Sequence, residues 1–404
     1  MPLDDIDLID HTQYAAGGPP HALFRRLRAE DPVHWHPEAD GPGFWAVTKY
    51  EDVVRVSRDS ATFSSNLGGT MVPDTPADAL PMIRMMMLNM DPPQHTKLRL
   101  LVNKGFTPRM VAQLHERIHA LAATIVDRVV ARGACDFVTD VAGELPSYVI
   151  AELVGIPLDD GRLLYRLTER MHTAAPTEAG RFDVMAAVGE MMAYSHDLRT
   201  AKRAHPGNDI ASTLLAAELD GARLGDLEFD MFFMLLINAG GDTTRNLVAG
   251  GMQTLIEHPE QLAKLTADLS RLPGAIEEML RYCTPVIHFR RTAARDTEMR
   301  GRSIKAGDKV VMFYSSANRD EDVFAAPDCF DITRSPNDHL AFGGGGAHFC
   351  LGANLARLEI RAMFEQVLTR LPDIRVVGAV ERLSSNFING PRRMPVSFTP
   401  SPAS

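Results

Sequence analysis

The stretch Phe342–Gly352, which reads FGGGGAHFCLG, decides the fold of this 404-residue chain. It holds five glycines, one histidine and one cysteine, and the residues after it repeat an apolar position every three or four places. Glycine allows positive φ and close approach of the backbone to another group. A helix N-terminus stabilises a thiolate because it carries partial positive charge and free N–H groups. The pattern therefore predicts an irregular loop that presents Cys350 at the start of a helix.

A buried structural cysteine is the simplest alternative, but it would explain Cys350 and not the glycines around it. The other three cysteines, Cys135, Cys283 and Cys329, lie far apart in the sequence. The spacing therefore predicts neither a disulfide framework nor a Cys-x-x-Cys metal site, and a reducing cytoplasm is the expected setting.

Composition narrows the class of protein further. Hydrophobic residues make up 45% of the chain, and the net charge of −10 argues against a nucleic-acid-binding surface along the whole sequence. The first ten residues, MPLDDIDLID, lack the apolar core of a secretory signal. The longest apolar run, Met231–Ile237, is far shorter than a membrane span requires. We therefore expect a soluble cytoplasmic protein.

Helical patterning dominates from about residue 94 to residue 270, and a final helix is predicted over 352–371. Strand-like segments lie near residues 33–48, between residues 284 and 313, and at the C-terminus. The segment 60–90 is rich in Gly, Pro and Met and is expected to be a long loop. It is either a lid over an apolar pocket or a segment packed on the core.

The sequence NAGGDTT, residues 238–244, falls within the longest predicted helix. Two glycines inside a helix cost about 1 kcal/mol each relative to alanine, which suggests that something approaches the backbone there. Asp242 and Thr243 follow, an acid and a hydroxyl that could relay protons. Close helix packing at the glycines, with the threonine hydroxyls bonded to the preceding turn, is the simpler explanation and stays open.

Two pairs of charged residues lie at helical spacing. Glu278 and Arg281 are three positions apart, which by itself is typical of a surface ion pair. His95 and Arg99 are four positions apart. They could donate hydrogen bonds to one anion, or they could lie on a solvated helix face.

Taken together, the AGGDTT motif, the Glu278/Arg281 pair, the segment around Arg291 and the cysteine loop resemble the cytochrome P-450 family of haem-thiolate monooxygenases. The resemblance covers nearly the whole chain and implies one domain over residues 1–404. It implies a mainly α fold, a triangular prism of helices with a small β-rich region. The segments GANLARLE and SSNFINGPRRMPVSF are similar to those of actinobacterial members that hydroxylate sterol side chains or branched lipids.

The resemblance also implies a role for each matching residue. Cys350 would be the axial thiolate ligand of haem iron. Asp242 and Thr243 would deliver protons to the distal oxygen, and Glu278 and Arg281 would form a buried structural pair that Arg334 completes. The other residues expected to contact haem b are His95, Arg99, Ala239, Gly240, Arg291, Phe342, Gly343, His348 and Gly352. The two histidines and two arginines among them would neutralise the propionates.

The chain departs from the family pattern at two positions. Phe342 lies eight residues before Cys350, whereas seven is the commonest spacing, so one extra glycine has to be accommodated. Asp242 stands where many members carry glutamate, which shortens the relay arm and keeps its chemistry.

The expected substrate pocket is mostly apolar, which suits a lipid, a terpenoid or a steroid side chain. Its polar groups are Asn238 and His288. The expected pocket residues are Met86, Met87, Leu88, Leu235, Asn238, Ala239, Val286, Ile287, His288, Phe387 and Ile388.

The resemblance implies a monomeric monooxygenase that uses O2 and electrons from NAD(P)H, delivered through a ferredoxin and a ferredoxin reductase. Lys97, Arg357 and Arg361 are candidates for a ferredoxin-docking surface, with solvated helix faces as an equally simple alternative. Three other functions stay open. They are a peroxide-driven haem-thiolate enzyme, a hydroxylase of a polyketide or macrolide scaffold, and a non-enzymatic sensor of haem or a small ligand.

Overall fold

A computed structural model describes residues 2–39, 41–103, 106, 108–173, 178–219 and 221–402. The α-helices are α1 (His11–Gly17), α2 (His21–Glu30), α3 (Tyr50–Arg58), α4 (Leu80–Ile83), α5 (Gln94–Val102), α6 (Pro108–Val130), α7 (Glu144–Val154), α8 (Leu158–Thr173), α9 (Glu178–Ala204), α10 (Ile210–Ala216), α11 (Asp226–Glu257), α12 (Pro259–Ala267), α13 (Leu272–Cys283), α14 (Tyr314–Ala317) and α15 (Ala353–Arg370). The fold is therefore mainly α, as the sequence predicts.

The strands are β1 (Val33–His36), β2 (Phe44–Val47), β3 (Phe63–Ser64), β4 (Ala134–Asp136), β5 (Glu218–Leu219), β6 (Ala222–Arg223), β7 (His288–Ala293), β8 (Thr297–Met299), β9 (Arg302–Ile304), β10 (Lys309–Phe313), β11 (Arg375–Val376), β12 (Glu381–Arg382), β13 (Pro391–Arg393) and β14 (Pro395–Ser397). The largest sheet has the order β1-β2-β10-β7-β3, in which β2 and β10 run parallel and the other pairs antiparallel. A second sheet has the order β11-β14-β4. All five residues of β10, KVVMF, are buried, as suits a central strand covered on both faces.

Helix α11 forms the centre of the helical part. It packs against α7, α8, α9, α13 and α15, so it is apolar around most of its circumference. The Gly225 N–H at its start donates to Glu228 Oε2 over 2.8 Å. It ends at Glu257, before Pro259 begins α12, because proline suits the first turn of a new helix and not the interior of an old one.

The segment 60–90 contains short elements rather than one continuous loop. Strand β3, helix α4 and a 3-10 turn at Met87–Asn89 interrupt it. Met87 and Met90 are buried in the main core cluster, so this part packs on the core. Asp74 ties the preceding part to the sheet, since its carboxylate lies 2.8 Å from Arg290 Nη1 and 2.8 Å from Lys309 Nζ.

Among the helices that the structure describes, none by itself is long and apolar enough to cross a membrane. One pair of segments, Val138–Val154 and Leu158–Met171, reaches that length and composition only jointly, and the two are bent by 117°.

Candidate active site

The loop before α15 presents Cys350 beside the N-terminus of that helix, which begins at Ala353. The Cys350 N–H donates to the Phe342 carbonyl over 2.9 Å and closes the loop. The Gly352 N–H is directed at the Cys350 sulfur. The structure therefore has the predicted arrangement, in which the loop is followed by the cysteine and then by the helix.

The run of four glycines is needed because this loop packs closely against the C-terminal end of α3. Three of the four have φ in the left-handed region, Gly343 at +97°, Gly345 at +87° and Gly346 at +75°. A Cβ on Gly344 would lie 2.6 Å from Ser57 Oγ, and a Cβ on Gly346 would lie 2.6 Å from the Ser57 carbonyl oxygen. Arg58 Nε also donates to the Gly344 carbonyl over 3.2 Å. The glycines therefore allow the cysteine loop to lie directly against α3.

Phe342 keeps a defined position although the loop after it has one extra residue. Its ring is half-buried, and the Arg357 guanidinium lies 4.6 Å from its centre. Arg357 is fixed in turn by Glu277, whose carboxylate lies 2.7 Å from Arg357 Nη2. Glu277 also contacts His339 Nε2 over 3.1 Å, so the base of the loop is held by α13.

The Cys350 thiol is enclosed by the chain and yet has exposed surface. Burial raises the pKa of the thiol, while the Gly352 N–H and the guanidinium of Arg99 oppose that rise. Arg99 also donates to the carbonyls of Ala347 and Phe349 on the loop. An accessible thiol at a helix start, beside a guanidinium, suits the ligand of a bound group.

Four side chains that can donate hydrogen bonds lie together near this thiol. Asp91 is the acid whose charge reaches His95 and Arg291, but no carboxylate of the described residues forms an ion pair with any of the four. The rings of His95 and His348 are 4.3 Å apart. Burial, together with the charges of Arg291 and His95, lowers the pKa of His348 to about 2. Burial and the charge of Arg99 lower the pKa of His95 to about 4. Arg291 is buried, and within the described part of the chain no carboxylate forms an ion pair with it. This donor set fits the carboxylates of a bound group.

The middle of α11 has an accessible stripe, by which we mean Leu235, Asn238, Ala239, Gly240 and Thr243. The other residues from Phe229 to Ala249 are buried. Leu235, Ala239 and Thr243 recur every four positions and so share one face. Because α11 runs through the core, a stripe of accessible residues in its middle borders an internal space.

The simpler explanations of the AGGDTT motif also hold within this helix. A Cβ on Gly240 would lie 2.9 Å from Ile150 Cδ1 on α7, so this glycine permits close helix packing. Thr243 Oγ1 donates to the Ala239 carbonyl over 3.1 Å, one turn earlier. Roles for these residues beside an oxygen site stay predictions.

Asp242 lies behind the accessible stripe rather than on it. It is buried, and its Oδ1 lies 3.4 Å from Nη2 of Arg245, which is also buried. Arg245 donates to the Tyr165 hydroxyl and to Glu169 Oε1, the latter over 3.3 Å. This network ties α11 to α8. The sequence does not predict a role for Arg245, Tyr165 and Glu169, because an i, i+3 acid–arginine pair is usually a surface feature.

The predicted pocket residues divide between accessible and buried positions. The accessible or half-exposed ones are Met86, Leu88, Leu235, Asn238, Ala239, Val286 and Phe387. Met87 and Ile388 are buried, and Ile287 belongs to a core cluster with Phe44 and Phe313. His288 is buried, no described residue bonds to either ring nitrogen, and burial lowers its pKa to about 4.

The buried structural pair that the resemblance implies is confirmed. Glu278 accepts from Arg281 Nη2 over 2.7 Å and from Nε over 2.8 Å, and both side chains have no exposed surface. Arg334 Nε adds a bond of 3.1 Å and Asn337 Nδ2 another of 3.1 Å. Several donors thus share one carboxylate, which a buried charge requires.

Comparison with known proteins decides the family. The sequence model described as Cytochrome P450 matches residues 178–372. The chain is 41% identical over 393 residues to the steroid C26-monooxygenase of Mycobacterium tuberculosis, across 94% of this chain and 90% of that protein. It is 40% identical over 388 residues to the methyl-branched lipid omega-hydroxylase of Mycobacterium bovis, across 93% of this chain and 90% of that protein. The chain belongs to the cytochrome P450 family.

A solved P450 has the same fold. The structure of Mycobacterium marinum cytochrome P450 CYP268A2 in complex with pseudoionone superposes with a TM-score of 0.92 and 41% sequence identity, over 98% of this chain and 99% of that one. The predicted P450 fold and the predicted likeness to actinobacterial sterol and branched-lipid hydroxylases are confirmed.

This P450 is an enzyme of the monooxygenase class, and haem is its cofactor. The residues present fit that group, because an accessible thiol lies at a helix start beside a set of donors that form no ion pair with any carboxylate of the described residues. Cys350 would hold the iron, and His95, Arg99, Arg291 and His348 would hold the propionates. When bound, haem supplies the oxidation chemistry, and the protein supplies orientation, protons and exclusion of water.

Proposed function

We propose that this P450 hydroxylates an apolar lipid, terpenoid or steroid side chain, using O2 and two electrons from a partner protein. The observation that carries the proposal is the accessible stripe of α11, which is mostly apolar and borders an internal space. Met86, Leu88, Val286 and Phe387 are half-exposed and add apolar surface. The named activities of the mycobacterial relatives, on steroids and branched lipids, support the same class.

In this proposal Thr243 and Asp242 manage protons. The Thr243 hydroxyl lies on the accessible stripe and would pass a proton from its Oγ1 into the internal space. Asp242 is its neighbour in sequence and would resupply that proton. Arg245 holds the Asp242 carboxylate, and Glu169, half-exposed at the other end of the network, would connect it to solvent.

The electrons would come from NAD(P)H through a ferredoxin reductase and a ferredoxin that docks on the side of the cysteine loop. Lys97, Arg357 and Arg361 would contribute positive charge there, although Glu277 and Glu365 offset part of it. Leu100 and Phe349 are exposed and would add apolar contact. We further propose a monomer that works in the cytoplasm, with the chain acting as one P450 domain.

The first test of the proposal is spectroscopic. Reduced holoenzyme with carbon monoxide should give the red-shifted Soret band of a thiolate-ligated haem, and Cys350→His should lose it while still binding haem. Wild-type protein that binds haem without giving that band would contradict the assignment of Cys350.

The second test concerns substrate and electrons. A panel of sterols, branched fatty acids and terpenoids should contain compounds that shift the haem from low to high spin, and these should be hydroxylated with a ferredoxin, its reductase and NADH. Turnover with hydrogen peroxide and not with the ferredoxin chain would instead favour the peroxide-driven alternative.

A further inference from the structure

Asn238 supplies one of the two polar side chains on the accessible stripe of α11, and Thr243 supplies the other. The Asn238 Nδ2 amide donates to the Met234 carbonyl, one turn earlier, over 2.7 Å. The nitrogen has to occupy that position, because the amide oxygen there would face another carbonyl oxygen. The Oδ1 atom is therefore turned away from the helix backbone. It is not a fully enclosed atom, and no donor from the described residues reaches it.

The rest of the accessible lining offers few competing acceptors. The Thr243 hydroxyl donates to the Ala239 carbonyl, and its oxygen is the other side-chain acceptor on the stripe. Both ring nitrogens of His288 are buried, so a ligand in the space cannot reach them without rearrangement. The other half-exposed side chains of the predicted pocket are Met86, Leu88, Leu235, Val286 and Phe387. Among them only the thioether of Met86 can accept a hydrogen bond, and it does so weakly. An apolar ligand that fills this space would bury the Asn238 Oδ1 atom.

We propose that Asn238 is a specificity-determining residue whose Oδ1 accepts a hydrogen bond from a substrate hydroxyl group. The enzyme then selects apolar alcohols over ketones or ethers of the same carbon skeleton. The inference rests on the proposed function, because it assumes that the apolar substrate lies along the stripe. Burying the acceptor without a donor is unfavourable, and ligands without a hydroxyl are therefore disfavoured.

The position of Asn238 also constrains where that hydroxyl lies in the substrate. Asn238 and Thr243 are five positions apart, which corresponds to about 7.5 Å along the helix axis. The hydroxyl that binds Asn238 is therefore remote from the carbon that is oxidised beside Thr243. The substrate class is an apolar alcohol whose hydroxyl lies several carbons from the oxidised carbon, such as an acyclic isoprenoid alcohol.

The test is a spin-state titration of the holoenzyme with matched ligands. The pairs are pseudoionol and pseudoionone, farnesol and its methyl ether, and geraniol and its methyl ether. We expect the alcohol to bind more tightly, by on the order of ten-fold, in at least one pair. Asn238→Leu should remove that preference by weakening binding of the alcohol and leaving or improving binding of its partner. Asn238→Ala serves as a second variant in case leucine crowds the space.

Leu235→Ile is the matched control, because it changes the shape of the same stripe and adds no hydrogen-bonding atom. It should keep the preference for the alcohol. The carbon monoxide spectrum of each variant separates a failure at the haem site from a change in selectivity. Equal binding of alcohol and partner in all three pairs by wild-type protein, or a preference that survives both Asn238 substitutions, would overturn the proposal.

Discussion

Arg245 has a role that its position in the sequence does not suggest. It lies three residues after Asp242 on the longest helix, and the side chains of both are almost fully buried. Its guanidinium also reaches Glu169 and the Tyr165 hydroxyl on α8. The acid of the AGGDTT motif is thus held by a cation, and a buried carboxylate needs such a partner.

Replacing Arg245 by methionine should destabilise the protein. The substitution keeps side-chain bulk but removes the cation that pairs with Asp242, at an expected cost of about 3 kcal/mol. Urea unfolding of the holoenzyme measures this. Arg361→Met is the control, because Arg361 pairs with Glu365 at a half-exposed position and should cost less than about 1 kcal/mol. Equal losses in the two variants would contradict the importance of the buried pair.

At the scale of elements, the contact between α3 and the cysteine loop explains why the loop needs glycine. The loop could not approach the end of α3 with side chains on Gly344 or Gly346, because Ser57 occupies that space. The bond between the Cys350 N–H and the Phe342 carbonyl closes the loop with all four glycines between them.

Gly346→Ala tests that contact. The residue has φ +75° and its Cβ would meet the Ser57 carbonyl, so we expect backbone strain of about 1–2 kcal/mol plus displacement of the loop from α3. Haem transfer to apomyoglobin should become faster and thermal unfolding should begin earlier. Gly307→Ala is the control, since Gly307 has φ +95° with open space around it. Gly307→Ala should begin to unfold at a lower temperature because of the backbone strain, but its haem transfer should not change. Haem transfer as fast in this control as in Gly346→Ala would contradict the steric explanation.

At the scale of the whole molecule, Glu277 joins three parts of the chain. It lies on α13 and binds Arg357 on α15 and His339 ahead of the cysteine loop. Burial opposes ionisation of this carboxyl, but the hydrogen bonds from Arg357 and His339 prevail and lower its pKa to about 2. The ionised group thus stabilises the fold above its ordinary pKa, and the stabilisation is lost as the pH falls toward 2.

Glu277→Gln should therefore change how stability depends on pH. Near pH 6 the variant should be less stable than wild type by about 2 kcal/mol, and the difference should shrink as the pH falls below about 4. Urea unfolding at a series of pH values measures both proteins. Glu381→Gln is the control, because Glu381 pairs with Arg393 at an exposed position, and its stability should differ little from wild type at any pH. A difference for Glu277→Gln that stayed constant with pH would contradict the ionic role.

Local sequence signals were enough to predict the mainly helical framework and its final helix. Periodicity located α15 to within one residue at each end, because this signal acts within a few residues of the chain. The glycine run and the single cysteine located the loop at the start of α15 for the same reason. The order of the motifs then pointed to the family, which the relatives confirm.

Only the tertiary structure decided which side chains meet. Arg245 and Glu169 are 76 residues apart, and no local pattern predicts their contact. Ile287 and His288 begin a strand region buried on both faces, where sequence alone cannot assign a side chain to the pocket or the core. Asn238 was one of several pocket candidates, and its exposed Oδ1 depends on how α11 is covered by its neighbours. Local signals fix elements, whereas burial and partners depend on residues that are distant in sequence.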